Sequence, residues 1–272
     1  MHDLFTSLAA ALVLAGCGAP PARTVTVFAA ASLTAPFEAL AAAFEAVRPG
    51  VDVRLSFAGT PQLVLQLREG AAADVFASAD EIHMARVVES GRTAAPPRVF
   101  ATNRLAIAVA LGNPRGVQGL ADLARADLVV ALCGPEVPAG RYARAALERA
   151  GVAARSVSDE PSVSALISKV RLGEVDAGIV YVTDVATARA SVSAVEIQSD
   201  ANVVARYPIA PLRAGQGGSP IPAEPGAAEP GGRGSDEQGV DHGADGDTEA
   251  FVAFVLSAEG QAILRSFEFG AP

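Results

Sequence analysis

Apolar and polar positions along the chain switch repeatedly between two periods. Residues 25–28 form an apolar run of the kind found in a strand buried on both faces. Phe37, Leu40, Phe44 and Val47 then recur at helical spacing until Pro49-Gly50 stops the helix. Residues 51–57 alternate as a second strand, residues 62–68 form a second helix ending at Gly70, and residues 74–77 form a short third strand. This β-α-β-α-β order predicts an α/β fold with a mostly parallel sheet flanked by helices. Ligands of such folds bind at the C-terminal ends of the strands.

A second series begins near residues 105–109. A strand over 128–133 leads to a helix over 139–150, and a helix over 163–171 leads to a strand over 178–181. Two similar units predict two lobes with a cleft between them. Tyr207-Pro208-Ile209-Ala210 carries the chain back to the first lobe. Phe251, Phe254, Val255, Ile263, Leu264 and Phe267 mark C-terminal helices whose apolar faces need that lobe to pack on. The expected organisation is a leader and tether over 1–23, lobe I over 24–101, lobe II over 102–206 and a return to lobe I over 207–272. A hinge is expected near 101–104 and 206–209.

Residues 213–247 break the pattern. They hold ten of the 26 glycines, four prolines and seven acids against two arginines, with almost nothing apolar. Such a segment buries too little surface to offset the entropy of ordering, so it is predicted to be a disordered insertion. It carries -5 of the formal net charge of -9, leaving only -4 on the rest of the chain. The balance argues against nucleic acid as a partner, yet leaves room for an anionic ligand. With 272 residues, 50% of them hydrophobic, the chain can bury a sizeable core.

Residues 8–16 are apolar but too few to span a bilayer. They run into Leu14-Ala15-Gly16-Cys17, which resembles the lipobox of a bacterial lipoprotein, where cleavage leaves Cys17 as the acylated N-terminus. An ordinary signal peptide with an incidental cysteine is the alternative. Small residues at both positions before Cys17 favour the lipobox, whereas Met1-His2-Asp3 lacks the usual basic residue. Two acyl chains would anchor the protein stably. Cys133, the other cysteine, lies in an apolar run and reads as a small core residue rather than a reactive thiol.

Catalytic residue types are scarce. Of three histidines, His2 is in the leader and His242 in the insertion, so only His83 could serve as a base in a folded region. No nucleophile elbow, phosphate-loop lysine or Cys/His cluster of zinc spacing is present, and the sequence does not read as an enzyme. Loop-to-helix junctions are more informative: Ser32, Thr60, Ala139 after Pro138, and Val163 after residues 159–162 each open a helix, and Tyr181 ends a strand. Taken singly, each fits capping or core packing, and Asp159 reads as a cap.

In combination these blocks resemble the periplasmic molybdate-binding proteins, the solute receptors of ABC importers. The resemblance rests on residues 27–34 (VFAAASLT), 57–60 (FAGT), 70–80 (GAAADVFASAD), 137–143 (VPAGRYA) and 178–181 (GIVY). It implies a two-lobed fold of the type II periplasmic-binding-protein class with the ligand in the interlobe cleft. It further implies molybdate, and tungstate, as the ligand, no cofactor, an ABC permease as partner, a monomer, and an extracytoplasmic location. Its oxyanion ligands fall on Ser32, Thr60, Ala139, Val163 and Tyr181. Thr60 replaces a serine, Pro61 lacks an N–H, and the insertion is a further departure. A receptor for sulfate or another oxyanion is the alternative, and an enzyme built around His83 on the same scaffold is a second.

Overall fold

The computed structural model describes residues 23–213 and 242–272. The chain opens with β1 (Arg23–Ala30), a single 3₁₀ turn and α1 (Thr34–Val47), then β2 (Val51–Ala58), α2 (Thr60–Arg68), β3 (Val75–Ala77) and α3 (Glu81–Glu89). β4 (Arg98–Ala110) leads into β5 (Val130–Cys133), α4 (Pro138–Arg149), β6 (Ser156–Glu160), α5 (Val163–Leu172), β7 (Ala177–Tyr181), α6 (Val182–Thr187) and β8 (Val192–Glu196). β9 (Val204–Pro211), α7 (His242–Leu256) and α8 (Ala258–Ser266) complete it.

β1 pairs in parallel with β2 and β3, and β5 pairs in parallel with β6 and β7, giving one parallel nucleus per lobe. The sheet is more mixed than the β-α-β reading predicts, because β9 joins β3 antiparallel and β4 joins β7, β8 and β9 antiparallel. The cause is the length of β4. Its first half, Arg98 to Arg104, pairs with β9, and its second half, from Leu105 on, pairs with β7. One strand therefore belongs to both lobes, and β9 returns alongside it. The two strands pass between the lobes side by side, with Thr102 opposite Arg206 and Asn103 opposite Ala205.

The C-terminal helices pack where their apolar faces require. Phe251 of α7 meets Phe37 and Phe44 of α1 edge to face at 6.3 and 5.3 Å. The chain end is tied to β4, with Thr102 and Gly270 exchanging backbone hydrogen bonds of 3.0 and 2.9 Å. Cys133 is fully buried and unpaired in β5, and burial pushes its thiol far above the usual range, as expected of a core residue.

The boundary of the acidic insertion needs correction. α7 begins at His242, inside the segment read as disordered, and Asp247 is buried. Its carboxylate takes Arg23 Nε at 3.1 Å and Arg48 Nη1 at 2.9 Å, clamping α7 to β1 and to the end of α1. Composition hides this, because the acids before Asp247 make it look like one more solvated charge. Residues 214–241 of that segment, like Cys17 and the leader, lie outside the described residues.

Replacing Asp247 by alanine should lower stability by about 1–3 kcal/mol, since both arginines are half exposed and are not left as buried charges. Urea unfolding of the two chains checks this, and equal midpoints would return Asp247 to a disordered segment.

Candidate functional site

Ser32, Thr60, Ala139, Val163 and Tyr181 line one cavity between the lobes. Ser32 comes from the 3₁₀ turn after β1, Thr60 opens α2, Ala139 and Val163 sit in the first turns of α4 and α5, and Tyr181 ends β7. The first-turn N–H groups of a helix have no partner within the helix and carry its positive end. Three helix N-termini and a 3₁₀ turn thus point free donors into the same space. The cavity has a volume of about 20 Å³, against the roughly 10–15 Å³ that holds one water. That suits one compact anion.

Neither hydroxyl is spent on capping. Side-chain caps are absent from the 3₁₀ turn, α1 and α2, so neither hydroxyl is tied to a helix end. At α5 the cap is Ser162, whose Oγ accepts from Ala165 N–H at 3.2 Å. Asp159, read as a cap, instead accepts from Arg144 at 2.7 Å. The Tyr181 hydroxyl is buried without a partner, and burial pushes its ionisation well above the usual tyrosine range. It therefore stays protonated. Lysine, arginine and histidine are missing from the lining.

Small residues let the lobes meet over this cavity. A Cβ at Gly59 would strike the carbonyl oxygen of Pro161 in the opposite lobe. Gly140 plays the same part within lobe II, where a Cβ would strike the carbonyls of Cys133 and Gly134. Without a side chain there, the α4 N-terminus sits directly on the end of β5.

His83 lies outside the lining. Fully buried, its Nδ1 is 3.0 Å from both oxygens of Asp80, which also caps α3 by accepting from His83 N–H at 2.8 Å. Burial raises the Asp80 carboxyl, but the hydrogen bond and charge of His83, with the charge of Arg141, outweigh it and hold the group below the usual range. Arg141 reaches Asp80 from lobe II, so the pair ties the lobes together.

Sequence reading missed four further residues. Behind Ser32, Tyr207 places its hydroxyl 3.1 Å from Ser32 Oγ, and the Asn103 amide reaches Tyr207 and Thr183. Asp184 accepts from Tyr181 N–H at 2.9 Å, and desolvation pushes its carboxyl up to about 7. A tyrosine within the apolar return strand is the one available signal, since a buried phenol needs a partner. Nothing local marks Asn103.

Residues 25–223 match the family described as bacterial extracellular solute-binding protein. The molybdate-binding protein ModA of Mycobacterium tuberculosis is 42% identical over 224 residues, covering 77% of this chain and 86% of that protein. Among solved structures, the periplasmic molybdate-binding protein of Azotobacter vinelandii superposes with a TM-score of 0.68 at 18% identity, over 91% of this chain and 99% of that one. The sulfate-binding protein SubI of M. tuberculosis does so with a TM-score of 0.73 at 18% identity, over 90% and 86%. Both structural likenesses establish the two-lobed type II fold, whichever anion each protein takes. By the family match and the identity to ModA, this chain belongs to the bacterial extracellular solute-binding proteins and is a homologue of ModA within them.

Proposed function

We propose that this protein captures molybdate outside the cytoplasmic membrane and delivers it to an ABC permease, anchored through Cys17 and acting as a monomer rather than as an enzyme. The observation that carries the reading is a cavity for one compact anion lined by neutral donors from both lobes. Identity to ModA supports molybdate as the anion. Tungstate has the same charge and shape and is proposed as a second ligand.

Neutral donors suffice for a dianion when several helix N-termini face it. Each hydrogen bond to a charged group contributes about 1.5–3 kcal/mol, so a handful offsets desolvation. Ser32 and Thr60 offer hydroxyl and backbone donors, Ala139 and Val163 backbone donors, and Tyr181 its phenol. Because both lobes contribute, binding favours the closed arrangement, with β4 and β9 flexing where they cross. The Arg141–Asp80 pair stabilises the same arrangement. Hydrogen phosphate must donate its proton and finds no carboxylate in the lining, leaving a buried donor unpaired at a cost of about 1–3 kcal/mol. Sulfate carries no such proton and is rejected by size.

A calorimetric titration of the chain from residue 18 checks the assignment. Molybdate and tungstate should bind far more tightly than sulfate or phosphate, and Tyr181→Phe should cost molybdate about 1.5–3 kcal/mol. Sulfate binding as tight as molybdate would make this a sulfate receptor, and silence toward every oxyanion would end the reading.

Asp184 gives a pH dependence. A cavity lined by Asp184 and Glu38 adjoins the candidate site and shares Ala31 and Ser32 with it. With its folded pKa raised, Asp184 is neutral below about 7 and negative above it. Its ionisation therefore costs stability and repels the bound anion as pH rises through that value. Molybdate affinity should fall several-fold from mildly acidic to mildly alkaline pH. Asp184→Asn, which keeps the acceptor for Tyr181 N–H, should flatten the profile. An identical slope in the variant would remove Asp184 from the explanation.

A further inference from the structure

Ser32 presents a difficulty for a site that rejects protonated anions by offering only donors. A serine hydroxyl also has lone pairs and can turn to accept a proton from hydrogen phosphate. The hydrogen bonds behind Ser32 occupy one of those lone pairs and free the hydroxyl proton to face the cavity.

They begin at β4. The Oδ1 of Asn103 accepts from Arg104 N–H at 2.9 Å, which fixes the amide so that Nδ2 faces away from it. That nitrogen lies 2.8 Å from Thr183 Oγ1 and 3.5 Å from Tyr207 Oη, and it can only donate. Tyr207, fully buried, has Ser32 Oγ at 3.1 Å as its other partner. Facing a donor on one side, the phenol sends its proton to Ser32. Burial, with the nearby charge of Asp184, keeps that phenol protonated, its ionisation pushed well above the tyrosine range. Ser32 Oγ then accepts from Tyr207, and it makes no other hydrogen bond among the described residues. Its own proton is left to point into the cavity.

We propose that Asn103 and Tyr207 are positioning residues that orient the Ser32 hydroxyl as a donor toward the bound anion and so strengthen the preference for oxyanions without a proton. The inference rests on the oxyanion-receptor reading and deepens it. Polarity is set from the crossing strands, since Asn103 is on β4 and Tyr207 on β9. The Asn103–Arg104 bond, within the crossing, orients a group that touches the ligand.

Tyr207→Phe tests this, because it keeps the ring in its aromatic surroundings with Phe100, Tyr181 and Phe269 and removes only the hydroxyl. Molybdate affinity is measured by calorimetry and hydrogen phosphate affinity by competition at neutral pH, in the parent, Tyr207→Phe, Ser32→Ala and the double variant. The molybdate-over-phosphate ratio should fall roughly threefold to tenfold in Tyr207→Phe. In the Ser32→Ala background the same change should have no further effect, because the serine through which Tyr207 acts is gone. A structural role alone would shift both backgrounds equally. Asn103→Ala, read through the same cycle, should move the ratio in the same direction and serves if Tyr207→Phe does not fold. An unchanged ratio, or equal shifts with and without Ser32, overturns the inference while leaving a molybdate receptor in place. A parent that binds no oxyanion overturns the receptor reading and this inference with it.

Discussion

A helix cannot satisfy its own first-turn N–H groups, and a bare dianion cannot leave water without donors to replace it. Those two deficits meet in the cavity between the lobes. α2 from one lobe and α4 and α5 from the other end there, joined by the 3₁₀ turn after β1. Donors held by helix ends need no reorganisation when the ligand arrives, so neutral groups can stand where a salt bridge would otherwise be expected. Small residues follow from the same demand. Glycine at 59 and alanine at 30, 31, 79 and 139 let backbone, rather than side chain, form the wall.

The lobes also meet through contacts outside the cavity. Asp80 is buried with His83 on lobe I and receives Arg141 from lobe II. His83, the histidine a catalytic reading would have needed, is engaged in that support. β4 and β9 both run between the lobes and carry Asn103 and Tyr207, so the strands that join the lobes also carry the hydrogen-bonded groups behind Ser32.

Much of this was legible in the sequence. Period-two and helical patterns placed the parallel nuclei of both lobes, and the opening residues of α2, α4 and α5 came from Thr60, Pro138 and Val163. All the cavity residues named from the resemblance line one space. What stayed hidden depends on pairing at long range. No local pattern says that β4 runs through both lobes, or that Asn103 and Tyr207 meet across 104 positions. Asp247 was hidden for a different reason: its acidic, glycine-rich neighbours mask a buried ion pair with Arg23 and Arg48. Asp159 shows the converse, a plausible cap whose carboxylate went to Arg144 because Ser162 stood closer to the helix.

The central claim is that one tetrahedral oxyanion is held by neutral donors alone. A crystal structure of the protein grown with molybdate, using anomalous scattering to locate the metal, tests it most directly. The account predicts molybdenum between the lobes, with its oxygens in hydrogen-bond reach of Ser32, Thr60, Ala139, Val163 and Tyr181 and no cationic side chain in contact. Molybdenum elsewhere, or an arginine such as Arg141 turned onto the anion, would contradict it.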